Sequence, residues 1–240
     1  MVKKNDYRQI VESGPPAGYA NKVFIQDGGA LDYYRIQQDS WLGKTDIYLG
    51  KKSRLRFFTF TLGGNLVRND LNVEFTGENS KVELYGLYLT GSNQIVENNT
   101  FLHHPIPFCQ SFQQYCGILF GKGKAVFNGR ILVERRAQKT DAYQESKNIL
   151  LGDQAQMLGK PFLEIFADDV KCTHGFAIWQ IEPDEIFYLR SRGIDEKEAK
   201  KILLLAFSRK ITDKINSGRL KNYLENLVKK KITMNTWSAV

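Results

Sequence analysis

The chain has 240 residues, of which 42% are hydrophobic and 25% are charged, which is ordinary for a globular protein with a sizeable core and excludes a wholly disordered chain. Its formal net charge of +8 favours an anionic partner such as a nucleic acid, an anionic membrane surface or an acidic protein. The excess is local, because residues 190–231 hold 13 basic and 5 acidic residues and the rest of the chain is neutral.

Targeting and membrane segments are not indicated. No apolar stretch follows the basic start of the chain, so no secretory signal is predicted. The longest uncharged run, residues 98–121, is rich in Asn, Gln, His and Pro and would make a poor membrane span. Three cysteines are too few, and odd in number, for a disulfide framework. We predict a soluble protein of a reducing compartment.

Residues 1–20 predict an irregular lead-in, because Gly14, Pro15, Pro16 and Gly18 cluster near its end. The following 150 or so residues alternate short runs of aromatic and β-branched residues with Gly- and Asn-rich turn signals. The pattern predicts a sandwich, a barrel or a β-solenoid, and no strict repeat chooses among them. The clearest runs lie at 23–25, 31–36, 55–61, 82–89 and 125–133.

The last part of the chain has the pattern of helices. Pro183 suits a first helical turn and Gly193 a helix end. Asp195, with Glu198 three residues later, resembles a capping box. A third helix is predicted after Ser217. The capping box is followed by an apolar stripe at helical spacing, which consists of Ala199, Ile202, Leu203, Ala206 and Phe207.

Cys172 and His174 are a candidate ligand pair. They follow an apolar run at 161–167 and two aspartates at 168–169. If the strand continues through them, the two side chains share a face about 6.5–7 Å apart, where a thiolate and an imidazole could hold a metal or a sulfur species. A zinc or iron–sulfur site usually needs about four ligands, so others would come from elsewhere, another chain included. The alternative is a buried cysteine beside an incidental histidine.

Other candidates are weaker. His103 and His104 are adjacent and would face opposite ways on a strand. The spacing of Cys109 and Cys116 fits no standard zinc or iron–sulfur pattern. We interpret the cysteines as small core residues and the histidines as lining a turn before a proline. Residues 121–124 (Gly-Lys-Gly-Lys) lack the spacing of a phosphate loop and predict a turn.

Several blocks of sequence resemble one known family. Residues 162–175 (Phe-Leu-Glu-Ile-Phe-Ala-Asp-Asp-Val-Lys-Cys-Thr-His-Gly) are similar to the signature of the SufB/SufD iron–sulfur assembly scaffolds, on the SufD side, and residues 187–194 (Phe-Tyr-Leu-Arg-Ser-Arg-Gly-Ile) continue it. The resemblance spans about residues 22–215. Earlier blocks follow in the expected order at 63–73, 85–89, 126–130 and 137–144.

The resemblance implies a mainly β fold, a right-handed parallel β-helix (β-solenoid) at 21–177 followed by a small C-terminal α-helical domain at 178–240. It implies a cytoplasmic, non-enzymatic scaffold subunit that pairs with a SufB-like subunit and binds a SufC-like ATPase to build and transfer nascent clusters. The iron–sulfur cluster would be transient, and no cofactor is expected in the isolated chain. Flavin binding and homodimerisation of the isolated chain are left open.

The resemblance also implies roles for individual residues. Cys172 and His174 would lie at the subunit interface where clusters assemble, as transient iron or sulfur ligands, with His174 the more important of the two. No residue is expected to be catalytic. Docking of the ATPase would fall to residues of the signature's second block, namely Phe187, Tyr188, Arg190, Arg192 and Gly193.

The chain departs from the family pattern in two ways. Members are usually longer, with an N-terminal region before the β-helix, so we expect a truncated or naturally short form. Phe176 and Trp179 are bulky where the family tends to have small residues, which bears on the packing beside His174.

Two other functions stay open at the level of sequence. Parallel β-helices also host polysaccharide-active enzymes, but the only adjacent acidic pair in the β body is Asp168 with Asp169, and neighbouring strand residues diverge. A basic nucleic-acid-binding protein is the other alternative. No DNA-reading motif accompanies the basic end, so we expect neither a nucleic-acid nor a membrane partner.

Overall fold

The computed structural model describes residues 1–14 and 17–237, in which 13 strands precede 3 helices. The odd-numbered strands form one sheet: β1 (Tyr7–Ser13), β3 (Ala30–Gln37), β5 (Arg54–Thr61), β7 (Lys81–Thr90), β9 (Gln110–Phe120), β11 (Asp141–Leu151) and β13 (Lys171–Trp179). The even-numbered strands form the other: β2 (Ala17–Ile25), β4 (Trp41–Leu49), β6 (Leu66–Phe75), β8 (Ile95–His104), β10 (Lys124–Val133) and β12 (Gln156–Ile165). The helices are α1 (Pro183–Arg190), α2 (Glu196–Thr212) and α3 (Gly218–Trp237).

The two sheets are the walls of a parallel β-solenoid. Each strand pairs in parallel with the strand two positions later in the chain, so the chain passes from one sheet to the other and back in every coil. The ladders are in register over most of their length, as where Leu31 lies beside Leu55 and Leu55 beside Val82. The predicted mainly β solenoid with C-terminal helices is confirmed.

Turn residues let the chain change sheets sharply. At Gly64, φ is 86° and a Cβ would stand 2.5 Å from the carbonyl oxygen of Asp39. Any side chain there would combine a disfavoured left-handed backbone with a steric clash. This turn joins β5 to β6 and belongs to a predicted turn signal, Gly63–Gly64, which the structure confirms.

Apolar side chains fill the interior of the solenoid, since alternate residues of each strand point inward. In β6, β8 and β10 buried residues alternate with more exposed ones. The interior cluster includes Trp41, Phe57, Phe75 and Phe127, all nearly inaccessible to solvent. Cys109 also lies in this interior, as its prediction as a small core residue requires.

A second core forms where the helices cover the outer face of the odd-numbered sheet. This outer core joins Phe58, Phe60 and Ile118 of the strands to Phe207 of α2 and Val228 of α3. Cys116 is buried there, and burial raises the pKa of its thiol to about 12. The helical domain is therefore anchored on the solenoid by an apolar interface.

A buried arginine fixes the connection between α2 and α3 to the same sheet. The Arg56 guanidinium is 6% exposed, lies 3.2 Å from a carboxylate oxygen of Asp32, and donates to the backbone carbonyl of Lys214. Its carbon also lies 5.1 Å from the centre of the Phe58 ring. Paired and hydrogen-bonded in this way, the charge is compensated despite its burial.

The expected irregular lead-in at 1–20 is wrong. Residues 7–13 form β1, which pairs with β3 from the Tyr7–Ala30 register onward, and β2 begins at Ala17. The sequence did not predict this strand because β1 is almost wholly exposed and its buried and exposed residues do not alternate. Its strand conformation comes from hydrogen bonding to β3 rather than from its own apolar pattern. The Pro15–Pro16 part of the predicted loop lies outside the described residues.

The predicted helices are present, with differences in detail. Asp195 caps α2 by accepting hydrogen bonds from the backbone N–H groups of Lys197 and Glu198. The Glu198 carboxylate does not complete a capping box but lies 2.9 Å from Lys201. The predicted apolar stripe is rotated, because packing on the sheet selects a different face: Ile202 and Ala206 are exposed, and the buried residues are Ala199, Leu204, Phe207, Ser208, Ile211 and Thr212.

No described helix is long and apolar enough to cross a bilayer.

Buried His104 should make the stability of the solenoid fall in acid. Its ring is fully buried, stacks on Phe75 at 4.2 Å and lies 2.9 Å from the Ser111 hydroxyl. Burial, aided by neighbouring His103, lowers its pKa to about 3. The contribution of neutral His104 to the free energy of unfolding is therefore fully present above the ordinary histidine pKa near 6.5. It is lost as the pH falls toward 3, which lowers the free energy of unfolding by at most about 5 kcal/mol.

Urea unfolding measured between about pH 7 and pH 4 tests this. We expect His104→Gln to flatten the fall in unfolding free energy, whereas His103→Gln, on the outward side of the same strand, removes only the secondary cause of the lowered pKa and leaves most of the fall in place. An equal acid response in the wild-type protein and His104→Gln would show that His104 is not the cause.

Candidate functional site

Cys172 and His174 lie on β13, the last strand of the odd-numbered sheet. The apolar run at 161–167 does not continue into them as one strand: β12 ends at Ile165, and residues 166–170 cross to the other sheet. The predicted shared face nevertheless holds, since both residues belong to β13 and are two positions apart.

The register shows which way the pair faces. Cys172 lies beside Ala142, and His174 lies beside Gln144. Both residues of β11 are buried in the solenoid interior, and side chains at partner positions of neighbouring strands share a face. Cys172 and His174 therefore point to the interior side of the terminal coil, which makes them neighbours at the mouth of the solenoid.

This end of the solenoid is open in the part of the chain that the structure describes. β13 pairs only with β11, and β12 only with β10, so both strands have an unpaired edge. As a result Cys172 is half-buried and His174 exposed, although Gln144 one coil deeper is inaccessible. We call this surface, which consists of the unpaired edges of β12 and β13 and the side chain of His174, the terminal face.

The thiol of Cys172 is not activated in the isolated chain. Burial raises its pKa and the nearby Asp141 carboxylate adds to the rise, opposed by the backbone N–H of Ala142. At neutral pH the residue is therefore mainly a protonated thiol, a weak ligand and a weak nucleophile. The imidazole of His174, which needs no such deprotonation to bind a metal when neutral, is the readier donor.

Alkylation should distinguish Cys172 from the other cysteines. We expect iodoacetamide to label Cys172 in the native protein and spare Cys109 and Cys116, both of which are inaccessible. Because the pKa of Cys172 is raised, labelling should be slower than that of a free cysteine and should accelerate with rising pH.

Mass spectrometry of the labelled peptides measures the outcome. Cys172→Ser should abolish native labelling, whereas all remaining thiols should react after unfolding. Labelling of Cys109 or Cys116 in the native state would contradict their assignment to the cores.

The two bulky residues beside the pair are accommodated. Phe176, on the same face as His174, occupies the space that a Cβ on Gly159 would need, so a glycine in β12 makes room for the ring. Trp179 faces the other way and meets the ring of Phe207 edge-on, with centroids 5.5 Å apart. Neither ring disturbs the strand on which His174 lies.

The weaker ligand candidates do not join this site. His103 and His104 end strand β8 rather than lining a turn, and face opposite ways as predicted: His103 lies 3.3 Å from Glu134, and His104 is internal. Residues 121–123 form the predicted turn, where the Gly123 N–H donates to the carbonyl of Phe120, and Lys124 begins β10. Within residues 1–14 and 17–237 no three His, Cys, Asp or Glu side chains are grouped to hold a metal ion.

The residues expected to dock an ATPase gather on and after α1. Phe187 and Tyr188 are 72% and 55% exposed, which is unusual for side chains of this size. The guanidinium of Arg192 lies 4.3 Å from the centre of the Tyr188 ring. Arg190 reaches Glu196 of α2 at 3.9 Å, and Gly193 turns the chain between the helices with φ at 81°.

A groove of about 760 Å³ separates α1 from the solenoid. Its walls combine Phe120 and Leu151 of the odd-numbered sheet with Ile186 and Phe187 of α1. Of the predicted docking residues, Phe187 and Arg190 line this groove, whereas Tyr188, Arg192 and Gly193 are exposed but do not line it. We call the groove together with the exposed residues among 187–193 the α1 surface.

Gln144 was not singled out from the sequence. It is completely buried beneath His174, and neither of its side-chain polar atoms has a hydrogen-bond partner among the described residues. Only the strand register could have found it, since the partner of His174 in the ladder depends on coil length, which varies along the chain.

A family description agrees with this arrangement. A model described as the SUF system FeS cluster assembly, SufBD core domain, matches residues 8–207. The chain belongs to the SufBD family. The SufBD match extends from β1 into α2 and therefore includes the terminal strands, Cys172, His174 and the α1 surface.

Individual SufBD relatives are similar over most of the chain. The chain is 38% identical over 176 residues to the iron–sulfur cluster assembly protein SufD of Escherichia coli strain K12. The aligned residues cover 73% of the chain and 42% of that relative. It is 34% identical over 212 residues to a SufBD family protein of Synechocystis, covering 87% and 47%. A SufBD family protein of Mycobacterium leprae is 33% identical over 194 residues, covering 78% and 50%. The chain thus spans about half the length of these relatives.

Proposed function

We propose that this protein is a non-enzymatic scaffold subunit of a Suf-type iron–sulfur cluster assembly complex of the cytoplasm. It pairs with a SufB-like subunit through the terminal face and binds a SufC-like ATPase through the α1 surface. The nascent cluster is its cargo rather than a resident cofactor, held transiently by His174, Cys172 and ligands of the partner.

One observation carries this proposal: the thiol of Cys172 and the imidazole of His174 lie near each other, on the same face of β13, at an open end of the solenoid. A thiol and an imidazole are suitable ligands for iron and sulfur species. They supply only half of the usual ligand set. Because they lie at the mouth, a second molecule applied to that end can supply the remainder.

The strand edges at the same end support pairing with another β-solenoid. The outer edges of β12 and β13 have no strand partner among the described residues. Such edges present rows of unpaired backbone groups that readily add a further strand. Addition of a partner's strands there would cover His174 and Cys172 and place the cargo in a closed interface.

The charge distribution supports docking of a protein on the helices. All five carboxylates of residues 190–231 are already engaged: Asp195 caps α2, and Glu196, Glu198, Asp213 and Glu225 lie within 4 Å of lysine side chains. The surface of the helical domain is therefore positive on balance, and the expected partner has an acidic face.

Co-expression with a SufC-like ATPase tests the docking assignment. Deleting residues 183–215 would also remove α2 and expose the outer core, so exposed side chains are the better targets. We expect Phe187→Ala combined with Tyr188→Ala to weaken capture of the ATPase at least tenfold, because exposed aromatic residues commonly carry much of the affinity of an interface.

Tyr223→Ala is the matched control, because Tyr223 is a half-exposed aromatic residue on α3, away from α1. It should leave capture unchanged. Undiminished capture by the double variant would refute docking through the α1 surface, while leaving the assignment of the terminal face to be tested separately.

A further inference from the structure

We infer that Gln144 is a positioning residue for His174, holding the imidazole by a hydrogen bond from inside the solenoid so that one ring nitrogen faces the terminal face. The functional consequence rests on the proposed function, whereas the hydrogen bond itself can be tested in the isolated chain.

The first step of the argument is the position of Gln144. It lies on β11, is the register partner of His174 on β13, and is fully buried. Strands of one sheet lie about 4.7–4.9 Å apart, which is within the reach of a glutamine amide toward a ring on the next strand.

The second step is its unmet hydrogen-bonding capacity. Neither Oε1 nor Nε2 of Gln144 has a partner among the described residues. A buried amide without partners costs free energy and calls for an explanation. Gln113, one coil deeper at the same register, keeps one of its bonds: its Nε2 donates to the Thr100 hydroxyl at 2.6 Å, and only its Oε1 has no partner among the described residues.

The third step is that the fold preserves room for the amide. Gln144 extends across the interior to β10, where its Nε2 occupies the space that a Cβ on Gly129 would need. The amide therefore lies against β10, and the bond to His174 requires it to turn from Gly129 toward β13. His174 has no hydrogen bond of its own among the described residues, so its ring is available.

The fourth step is a precedent in the same molecule. On the outer face of the even-numbered sheet, Asn128 donates to Asn99 at 2.7 Å, and Asn99 donates to Asp70 at 2.7 Å. These three residues are successive register partners. Side-chain amides in this solenoid thus bond from one coil to the next, as we infer for Gln144 and His174.

The chemical consequence concerns the two nitrogens of the imidazole. If the amide oxygen accepts from one ring N–H, the other nitrogen carries the lone pair and is directed toward the mouth. Metal-ligating histidines commonly donate their second N–H in this way, and loss of the acceptor typically weakens metal binding about 10- to 100-fold. Gln144 would therefore determine which nitrogen meets the cargo.

Nitrogen NMR of the isolated chain tests the hydrogen bond directly. The chain has three histidines, so ¹⁵N-histidine labelling with single-site variants assigns each ring. At about pH 8, where a free imidazole is neutral, we expect His174 to show one dominant tautomer. Gln144→Met, which keeps the volume and removes the amide, should shift it to the mixed signal of a free imidazole.

Gln113→Met is the matched control and should leave His174 unchanged, while the signal of buried His104 reports an intact interior in both variants. If Gln144→Met fails to fold, Gln144→Ser replaces it. An unchanged His174 signal overturns the inference, and so does an equal change in the Gln113 variant, because the effect would then be general to the interior.

A cellular assay separates the hydrogen bond itself from its effect on iron–sulfur maturation. Gln144→Met should lower iron–sulfur maturation about tenfold or more, in parallel with the NMR change. Normal maturation in that variant despite the NMR change would overturn the positioning role. Failure of the proposed function itself would appear differently, as normal maturation when His174 is removed.

Discussion

Replacing His174 with alanine should abolish iron–sulfur maturation in cells and leave the fold intact. The side chain is exposed at the terminal face and makes no hydrogen bond among the described residues, so its loss should change the free energy of unfolding by only about 0.5 kcal/mol. Under the proposed function, maturation should fail because the imidazole proposed as a cluster ligand is gone. The measurement is the activity of an iron–sulfur enzyme in cells that depend on this protein.

Thr173→Ala is the control for that experiment. Thr173 is the neighbouring exposed residue of β13 and points to the opposite face, so its replacement should preserve maturation. Cys172→Ser should have a smaller effect than His174→Ala, because the thiol is mainly protonated at neutral pH. Normal maturation in His174→Ala, with the variant protein present at wild-type abundance, would refute the role of His174.

Replacing Phe207 with aspartate should detach the helical domain from the solenoid. Phe207 is 5% exposed and packs against Trp179 and the outer core. The change removes a buried ring, for which about 3–5 kcal/mol is typical, and adds the cost of burying a carboxylate. We expect the stability to fall by more than about 3 kcal/mol, or the helices to dissociate from the sheet.

Ile202→Asp gives the comparison on the same helix, because Ile202 is 37% exposed and should tolerate a charge with a change of about 0.5 kcal/mol. Urea unfolding measures stability, and limited proteolysis at residues 183–237 reports release of the helices. A Phe207→Asp protein as stable and as protease-resistant as Ile202→Asp would contradict the anchoring role of the outer core.

Strands and helix starts could be predicted from the sequence where the signal lies in a few adjacent residues. The runs at 31–36, 55–61 and 82–89 are strands β3, β5 and β7, because β-branched and aromatic residues fit a pleated, buried surface. Helix starts at Pro183 and after Asp195 were predictable too, since capping depends on a few adjacent residues. Strands such as β4, β6 and β8, with polar outward faces, were not singled out.

The sequence also predicted the pair Cys172 and His174, but not the residues that surround it. The spacing of Cys172 and His174 predicted a common face, and the resemblance gave their role as an expectation. Nothing in the sequence showed that Gln144 lies beneath His174 or that Phe176 lies over Gly159. Those neighbours are about 15–30 residues apart in the chain and meet only through the register of the coils.

The sequence by itself determined the distribution of charge: the +8 excess lies within residues 190–231, and the rest of the chain is neutral. Only the tertiary structure decided which face of each element is buried. It rotated the apolar stripe of α2 away from Ile202, made β1 a strand despite its exposed pattern, and left His174 accessible at an open end. The reason is physical, because composition and capping act within a few residues, whereas burial depends on packing between segments that the chain separates widely.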